Sequence, residues 1–380
     1  MTNGKPGITR MHGHSRRRLM ADLAALAAMG GWPGTSRAES LDDTLTLLQR
    51  RWRPRLAWRQ APGWRGEALA AARRLMLLPG DDGSGFATAV LAEQDRGRHT
   101  AQALTLRGAL GDRVPALFLR PAGPGPHPAV LLLHDHGARF DIGKEKLIRP
   151  LQPNPAAQAW AERYFDGRFV GERLADSGYA VLAIDALGWG ERSRPGLARD
   201  DQQALANHLL QLGHSWAGVI ASDDLRAHRW LREQPGVDPA RVAAMGFSMG
   251  ALRAWQLAAV CEAVSACVAA HWMCTREGLL RPGEHTLVGQ SAFSMAHPGL
   301  AAELDHPDVA ALIAPRPLLL FGSPEDKLFP WDAVQQAWAR LAPAWGPGGH
   351  LATVRTAGGH RFDAGQQQAA IDWLRLLPER

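Results

Sequence analysis

The stretch RVAAMGFSMGALRAWQLAAV, residues 241–260, decides the fold. Its apolar run ends in a Gly-Phe-Ser-Met-Gly turn, and helix-forming residues follow without a break. This is the G-x-S-x-G pattern between a buried strand and a helix, which exposes Ser248 at the apex of a tight turn. The next backbone N–H, that of Met249, opens the helix and is suited to stabilise an oxyanion. We therefore predict that Ser248 is a nucleophile, and the alternative is a structural glycine-rich turn.

A serine nucleophile needs a base and an orienting acid, and both should follow it in the chain. The apolar run at residues 316–322 leads into SPEDKLFP, which places Asp326 just after a predicted strand. The run at residues 351–358 leads into Gly-His, which places His360 after the next one. We therefore predict the order Ser248, Asp326, His360, with the neighbouring Glu325 as the alternative acid.

The rest of the chain predicts an α/β fold with a mostly parallel sheet. Uniformly apolar runs of this kind suit parallel strands that helices cover on both faces. We expect such strands at residues 129–134, 179–185, 241–247, 265–273, 316–322 and 351–358. We expect helices at residues 155–176, 200–233, 249–262, 331–341 and 364–376. Alternating runs between Phe86 and Arg120 indicate an antiparallel entry to the sheet.

The segment His134-Asp135-His136-Gly137 follows the first of these strands. An oxyanion loop belongs at that place, so we expect the backbone of His136 or Gly137 to supply the second donor. Two imidazoles and a carboxylate also suit zinc. However, alternate residues at a strand end point to opposite faces, and no further His, Asp or Cys cluster completes a ligand set. We predict no metal and no cofactor.

The formal net charge of +6 is concentrated at the N-terminus. Residues 1–38 hold six of the 43 basic side chains and one of the 37 acidic ones, so the rest of the chain is nearly neutral. A nucleic-acid binder needs a clustered basic face, and we therefore expect no nucleic-acid partner. The three cysteines, Cys261, Cys267 and Cys274, fit neither a zinc site nor a redox pair, and we expect small buried residues, with one disulfide as the alternative.

Residues 1–38 indicate a twin-arginine signal peptide. Paired arginines at 16 and 17 precede a short apolar run, and Ser36-Arg37-Ala38 is typical of a cleavage site. The alternative is an amphipathic helix. We expect periplasmic or secreted protein without stable membrane insertion, a helical arm over residues 39–84 and a catalytic domain over residues 85–380.

Taken together, these segments resemble the α/β-hydrolases of the dienelactone hydrolase and acetyl xylan esterase-like branch. HDHGARFDIGKEK, residues 134–146, carries the likeness, together with GFSMG and APRPLLLFGSPEDKLFP. The resemblance implies an ester hydrolase that acts on acetyl or methyl esters of carbohydrates. Dienelactone hydrolases use a cysteine nucleophile where this chain has Ser248, which argues against lactone chemistry. Ala251 also stands where many relatives have a glycine.

Charged and aromatic residues near the predicted strand ends are candidates for contact with a small-molecule or oligosaccharide ester. These candidates are His134, Asp135, Arg139, Lys144, Lys146, Trp189 and Arg192. The alternative is internal salt bridging, because acidic residues alternate with the basic ones in sequence. Competing functions are an exported peptidase, a thioesterase or acyltransferase, and a binding module without activity.

Overall fold

The computed structural model describes residues 41–78, 88–197 and 201–377, and the predicted signal peptide lies outside them. The described chain forms two compact units, one that ends at Trp52 and one that begins at Arg53. The first unit contributes the helix α1 (Leu41–Arg51). The predicted arm over residues 39–84 also covers the helix α2 (Trp64–Met76), which lies in the second unit.

The second unit is built on a nine-stranded sheet in the order β1-β2-β3-β5-β4-β6-β7-β8-β9. The strands are β1 (Ala89–Asp95), β2 (His99–Arg107), β3 (Arg113–Pro121), β4 (His127–Leu133), β5 (Ala180–Ile184), β6 (Val237–Phe247), β7 (Cys267–Ala270), β8 (Leu318–Gly322) and β9 (Leu351–Arg355). The first three pair antiparallel, β3 pairs antiparallel with β5, and every pair from β5 to β9 is parallel. This confirms the predicted mostly parallel sheet.

Helices cover both faces of the sheet. The helices that follow β4 in the chain are α3 (Pro155–Phe165), α4 (Val170–Asp176), α5 (Asp201–Gln211), α6 (Trp216–Arg232), α7 (Met249–Val260), α8 (Arg276–Leu279), α9 (Leu300–Glu303), α10 (His306–Ala311), α11 (Trp331–Trp345) and α12 (Ala364–Arg375). Strand β4 shows why its sequence is uniformly apolar: Leu131 and Leu133 pack in one core cluster, whereas Val130 and Leu132 pack in the other. A central strand with both faces buried has no place for alternating polar residues.

Two of the predicted helices are each divided in the structure. The helix expected at residues 155–176 is interrupted by Asp166 and Gly167, both with positive φ. The helix expected at residues 200–233 is interrupted near Gly213, which also has a positive φ. Left-handed backbone ends a helix. Apolar residues recur on both sides of the break at Asp166, because Phe165 and Leu174 pack in the same core cluster.

None of the described helices is long and apolar enough to cross a membrane. The three cysteines are free thiols, with Cys267 and Cys274 buried and Cys261 half-buried. In the sheet, β5 lies on one side of β4 and β6 lies on the other. The strands that follow β4 in the chain are therefore added first on one side of it and then on the other. Such a switch point leaves a crevice beyond the carboxyl ends of the strands, and the segments that follow β4 and β6 both enter it.

Candidate active site

Ser248 lies between the end of β6 and the first residue of α7. Its backbone is strained, with φ of 56° and ψ of −126°, and its N–H donates to the carbonyl oxygen of Ala270 at 2.8 Å. The turn closes because position 250 is glycine: a Cβ there would collide with the carbonyl oxygen of Leu133 on β4. The local sequence therefore forces the hydroxyl out of the sheet and over its carboxyl edge.

The structure brings the three residues of the predicted triad together. His360 Nε2 lies 2.9 Å from Ser248 Oγ, and His360 Nδ1 lies 2.7 Å from Asp326 Oδ2. Asp326 follows β8 and His360 follows β9, and parallel pairing of these strands puts their ends side by side. The rings of Phe247 and Phe329 flank the imidazole, with centroids 4.8 Å and 5.9 Å away, which restricts its rotation.

Asp326 is buried and has a second set of partners. The backbone N–H of Leu328 donates to Oδ1 at 2.9 Å, and His271 Nδ1 lies 3.4 Å from Oδ2. Burial raises the pKa of this carboxyl, but the contacts with His271 and His360 outweigh burial and hold the pKa below its ordinary value. The carboxylate is therefore ionised at neutral pH, as an orienting acid must be.

Sequence reasoning missed His271, which directly follows β7. Its imidazole is fully buried, with Nε2 2.9 Å from Gln366 Oε1 on α12. Its φ of 59° is unusual for a residue with a side chain. The only sequence signal was its position, one residue beyond the apolar run Cys267–Ala270.

A cavity of about 430 Å³ lies over Ser248, Met249 and His360. Its lining includes the aromatic rings of Trp160, Tyr164, Phe247, Trp272 and Phe329. Other lining residues include Asp135, His136, Gly137, Gln202, His285, Thr286, Gln290, Ser291 and Met295. No lysine or arginine is among the described lining residues. A larger groove of about 630 Å³, around Arg96 and Pro153, holds no nucleophile–base pair among its described residues.

The expected oxyanion donors are on the wall of this cavity. Met249, His136 and Gly137 all line it, and their backbone N–H groups have no acceptor within the described chain. The His136 side chain is buried, which lowers the pKa of its imidazole to about 3. It is therefore uncharged at neutral pH.

Most of the residues expected to contact the substrate lie elsewhere. Of those predicted, Asp135 lines the cavity, but Arg139, Lys144, Lys146 and Arg192 do not. Each of these four basic residues has an acidic side chain within salt-bridge distance, as the alternative proposed. Their shortest distances to a carboxylate oxygen are 2.6 Å to Asp141, 2.7 Å to Glu145, 3.5 Å to Asp135 and 2.6 Å to Asp112, respectively.

The two uncharged candidates are also used internally. His134 is fully buried, with Nδ1 2.9 Å from the carbonyl oxygen of Asp135 and Nε2 3.2 Å from the N–H of Ala186. Trp189 is fully buried and donates from Nε1 to the carbonyl oxygen of His136 at 3.1 Å. Neither lines the cavity, and both side chains bond to carbonyl oxygens of the loop that follows β4.

Two groups of described side chains have metal-ligand types in close proximity. One consists of His271, Asp326 and His360, and the other of Glu145, Asp185 and Glu191. In the first group, Asp326 already bonds to His360. In the second, the ammonium of Lys144 lies 2.7 to 2.8 Å from a carboxylate oxygen of each acid, so a positive charge already occupies its centre.

Comparisons with known proteins agree with this architecture. The model of the dienelactone hydrolase family matches residues 163–341. The chain is similar to a Bacillus subtilis (strain 168) protein named "Putative hydrolase YtaP", with 29% identity over 314 residues that cover 80% of this chain and 97% of that protein.

Similar solved structures include a glucuronoyl esterase from Solibacter usitatus, with 15% identity and a TM-score of 0.59, covering 86% of this chain and 99% of that one. They also include an acetyl xylan esterase from Paenibacillus sp. R4, with 16% identity and a TM-score of 0.56, covering 88% and 99%. At such identities the likeness concerns the fold.

Proposed function

We propose that this chain, an α/β-hydrolase with the likeness to the dienelactone hydrolase family described above, cleaves carboxylic esters through an acyl-enzyme on Ser248. The observation that carries the proposal is the continuous contact from Ser248 Oγ through His360 to Asp326, at 2.9 Å and 2.7 Å, on the wall of a cavity. A hydroxyl, a base and an orienting acid in this arrangement perform nucleophilic acyl transfer.

The reaction proceeds in two steps. Ser248 Oγ attacks the ester carbonyl carbon while His360 Nε2 takes the hydroxyl proton, and Asp326 stabilises the imidazolium that forms. The tetrahedral intermediate collapses, and His360 passes the proton to the departing alcohol oxygen. Water then attacks the acyl-enzyme with the same base, which releases the acid and restores Ser248. Backbone N–H groups of Met249 and the loop after β4 stabilise the oxyanion in both steps.

We propose a carbohydrate ester as the substrate class, with an acetyl or methyl ester as the group cleaved. The cavity combines aromatic faces such as Trp160 and Trp272 with uncharged polar side chains such as Gln202 and Gln290. Sugars bind to such surfaces through their apolar faces and their hydroxyls. The acetyl xylan esterase and glucuronoyl esterase with the same fold support this substrate class.

A panel of substrates tests the proposal: p-nitrophenyl acetate, acetylated sugars, a uronate methyl ester, an acyl thioester and an aminoacyl amide. We expect the wild type to cleave the sugar esters. Cleavage of the thioester or amide alone would favour the thioesterase or peptidase alternatives.

Replacement of Ser248 by alanine should lower kcat by about 10⁴- to 10⁶-fold, because nucleophile and base act as a unit. It should also abolish labelling by a fluorophosphonate, whereas Ser291→Ala, at another serine on the cavity wall, should keep the label. An active, folded Ser248→Ala variant would refute the proposal.

Export of the protein is a separate proposal that rests on the sequence of residues 1–38 alone. N-terminal sequencing of the mature protein tests it, and a chain that retains Arg16 and Arg17 would contradict it.

A further inference from the structure

Lys146 has an unusual environment. Its side chain is fully buried, and its ammonium donates to two consecutive backbone carbonyl oxygens, those of Asp135 and His136, at 2.9 Å each. The Trp160 ring lies under the ammonium at 5.0 Å. A buried charge is costly unless it is paired and hydrogen-bonded. The Asp135 carboxylate, with Oδ2 3.5 Å away, provides the pairing.

The two bonded carbonyls determine where two N–H groups point. A trans peptide is planar, so its C=O and N–H point in opposite directions. Neither the 135–136 nor the 136–137 peptide is cis. Because Lys146 bonds the carbonyl oxygens of both peptides, the N–H groups of His136 and Gly137 both point away from the ammonium.

Successive N–H groups that point to one side form an anion-binding concavity. His136 and Gly137 line the catalytic cavity together with Ser248, and within the described chain their N–H groups have no acceptor. Gly137 has φ of 57°, and a Cβ there would collide with the ring of Trp160. Two features therefore stabilise this conformation of the loop: Gly137, which allows the positive φ and the close approach of Trp160, and Lys146, which bonds the two carbonyl oxygens.

We propose that Lys146 is a positioning residue that builds the oxyanion hole: it fixes the peptides of residues 135–137 so that the His136 and Gly137 N–H groups face the developing oxyanion. The inference rests on the proposed esterase function and deepens it. Hydrogen bonds in a chain polarise one another, so a cation bonded to the two carbonyl oxygens also strengthens the two N–H donors on the far side of each peptide.

Neighbouring side chains support this assignment and supply a control. Trp189 Nε1 also donates to the His136 carbonyl oxygen, at 3.1 Å, so that carbonyl has two donors. Lys144 lies two residues away and is almost as buried, but its ammonium bonds only to the carboxylates of Glu145, Asp185 and Glu191 within the described chain. A variant of Lys144 therefore removes a buried lysine from the same turn without releasing a carbonyl of the oxyanion loop.

The test compares Lys146→Met with Lys144→Met. Methionine has a similar length and no N–H donors. We expect Lys146→Met to lower kcat for p-nitrophenyl acetate by about 10²-fold, near the lower end for loss of an oxyanion donor, with KM changed by less than about threefold. Its affinity for phenylboronic acid, which forms a tetrahedral adduct with a serine, should fall by a similar factor. Its affinity for acetate, a planar product, should not.

The ratio of boronate affinity to acetate affinity distinguishes a misplaced oxyanion loop from a general loss of structure, because a loosened fold lowers the affinity for both ligands. Lys144→Met should leave this ratio at the wild-type value. If Lys146→Met does not fold, the double variant Lys146→Met/Asp135→Asn is used instead. It also removes the Asp135 carboxylate, which the loss of Lys146 leaves unpaired. A folded variant with wild-type kcat and ratio would overturn the inference.

A measurement on the wild type needs no variant. When a phosphonate is attached to Ser248, the amide protons of His136 and Gly137 should move downfield in the NMR spectrum, as donors to its oxygen. Unmoved resonances would overturn the inference. A wild type without esterase activity contradicts the proposed function as well, whereas an active wild type with unmoved resonances contradicts the inference alone.

Discussion

Replacement of Asp326 by asparagine is expected to lower kcat by about 10⁴-fold, which corresponds to about 5.5 kcal/mol of transition-state stabilisation. The structure explains why so small a change is so costly. The Leu328 N–H donates to Oδ1 at 2.9 Å, and Oδ2 faces His360 Nδ1 at 2.7 Å. An asparagine in this site keeps its oxygen towards Leu328, so its NH₂ group takes the place of Oδ2.

The NH₂ group can only donate, which obliges Nδ1 of His360 to accept. The proton of the imidazole then sits on Nε2, and Nε2 can no longer take the proton of Ser248. The size of the side chain is unchanged, so the fold and KM should be nearly unaffected. The decrease in kcat would therefore result from the changed protonation of His360 and not from a change in packing.

Glu325→Gln is the matched control, because it makes the same chemical change one residue earlier. Glu325 is exposed, and its carboxylate accepts from the backbone N–H of Gly358 rather than from His360. Steady-state kinetics with p-nitrophenyl acetate should show less than about a threefold change in kcat for this variant. A large loss in Glu325→Gln together with near-normal activity in Asp326→Asn would refute the assignment of the acid.

Two further predictions follow from buried histidines. The first is that His271→Asn should lower kcat about tenfold and leave KM unchanged, because the variant loses a contact with the ionised Asp326. Asparagine is chosen because it tolerates the left-handed backbone at that position. A variant with wild-type kcat would show that His271 does not position the acid. Burial lowers the pKa of five imidazoles: His134, His136, His228, His297 and His306. Below pH about 6.5 the unfolded chain binds protons that the folded chain does not, so the free energy of unfolding should fall by up to about 1.4 kcal/mol per histidine per pH unit. Urea titrations at pH 7.5 and 5.5 measure this, and equal stability at the two values would contradict it.

The parts of the fold that the sequence predicted are those determined by local pattern. Uniform apolar runs identified the parallel strands, and the Gly-x-Ser-x-Gly turn marked the junction of β6 and α7. Asp326 and His360 could be located because each lies in the loop that follows a strand, and strand ends meet at one edge of a sheet. The helix breaks at Asp166 and Gly213 were not predicted, because a left-handed residue leaves the apolar period intact on either side.

The cavity wall was less accessible to sequence reasoning. Residues such as Gln202 and Gln290 reach the cavity from segments without a strand-end pattern. His271 has only a weak sequence signal, its position one residue after an apolar run. Their contribution depends on contacts between distant parts of the chain. Amino-acid composition and the spacing of apolar residues carry no information about such contacts.

The charge pattern of the sequence does not distinguish the different contacts of Lys144 and Lys146. In the sequence Lys-Glu-Lys the two lysines are equivalent, and alternating charges favour internal salt bridges for both. In the structure both are buried, but one bonds to carboxylates and the other to the carbonyl oxygens of the loop after β4. Lys144 and Lys146 begin and end a 3₁₀ turn (Lys144–Lys146), in which residues two apart point in different directions. Lys144 therefore reaches Asp185, just after β5, whereas Lys146 reaches the loop after β4. Because β5 and β4 are neighbours in the sheet but lie about fifty residues apart in the chain, the strand order determines which lysine bonds to the loop after β4.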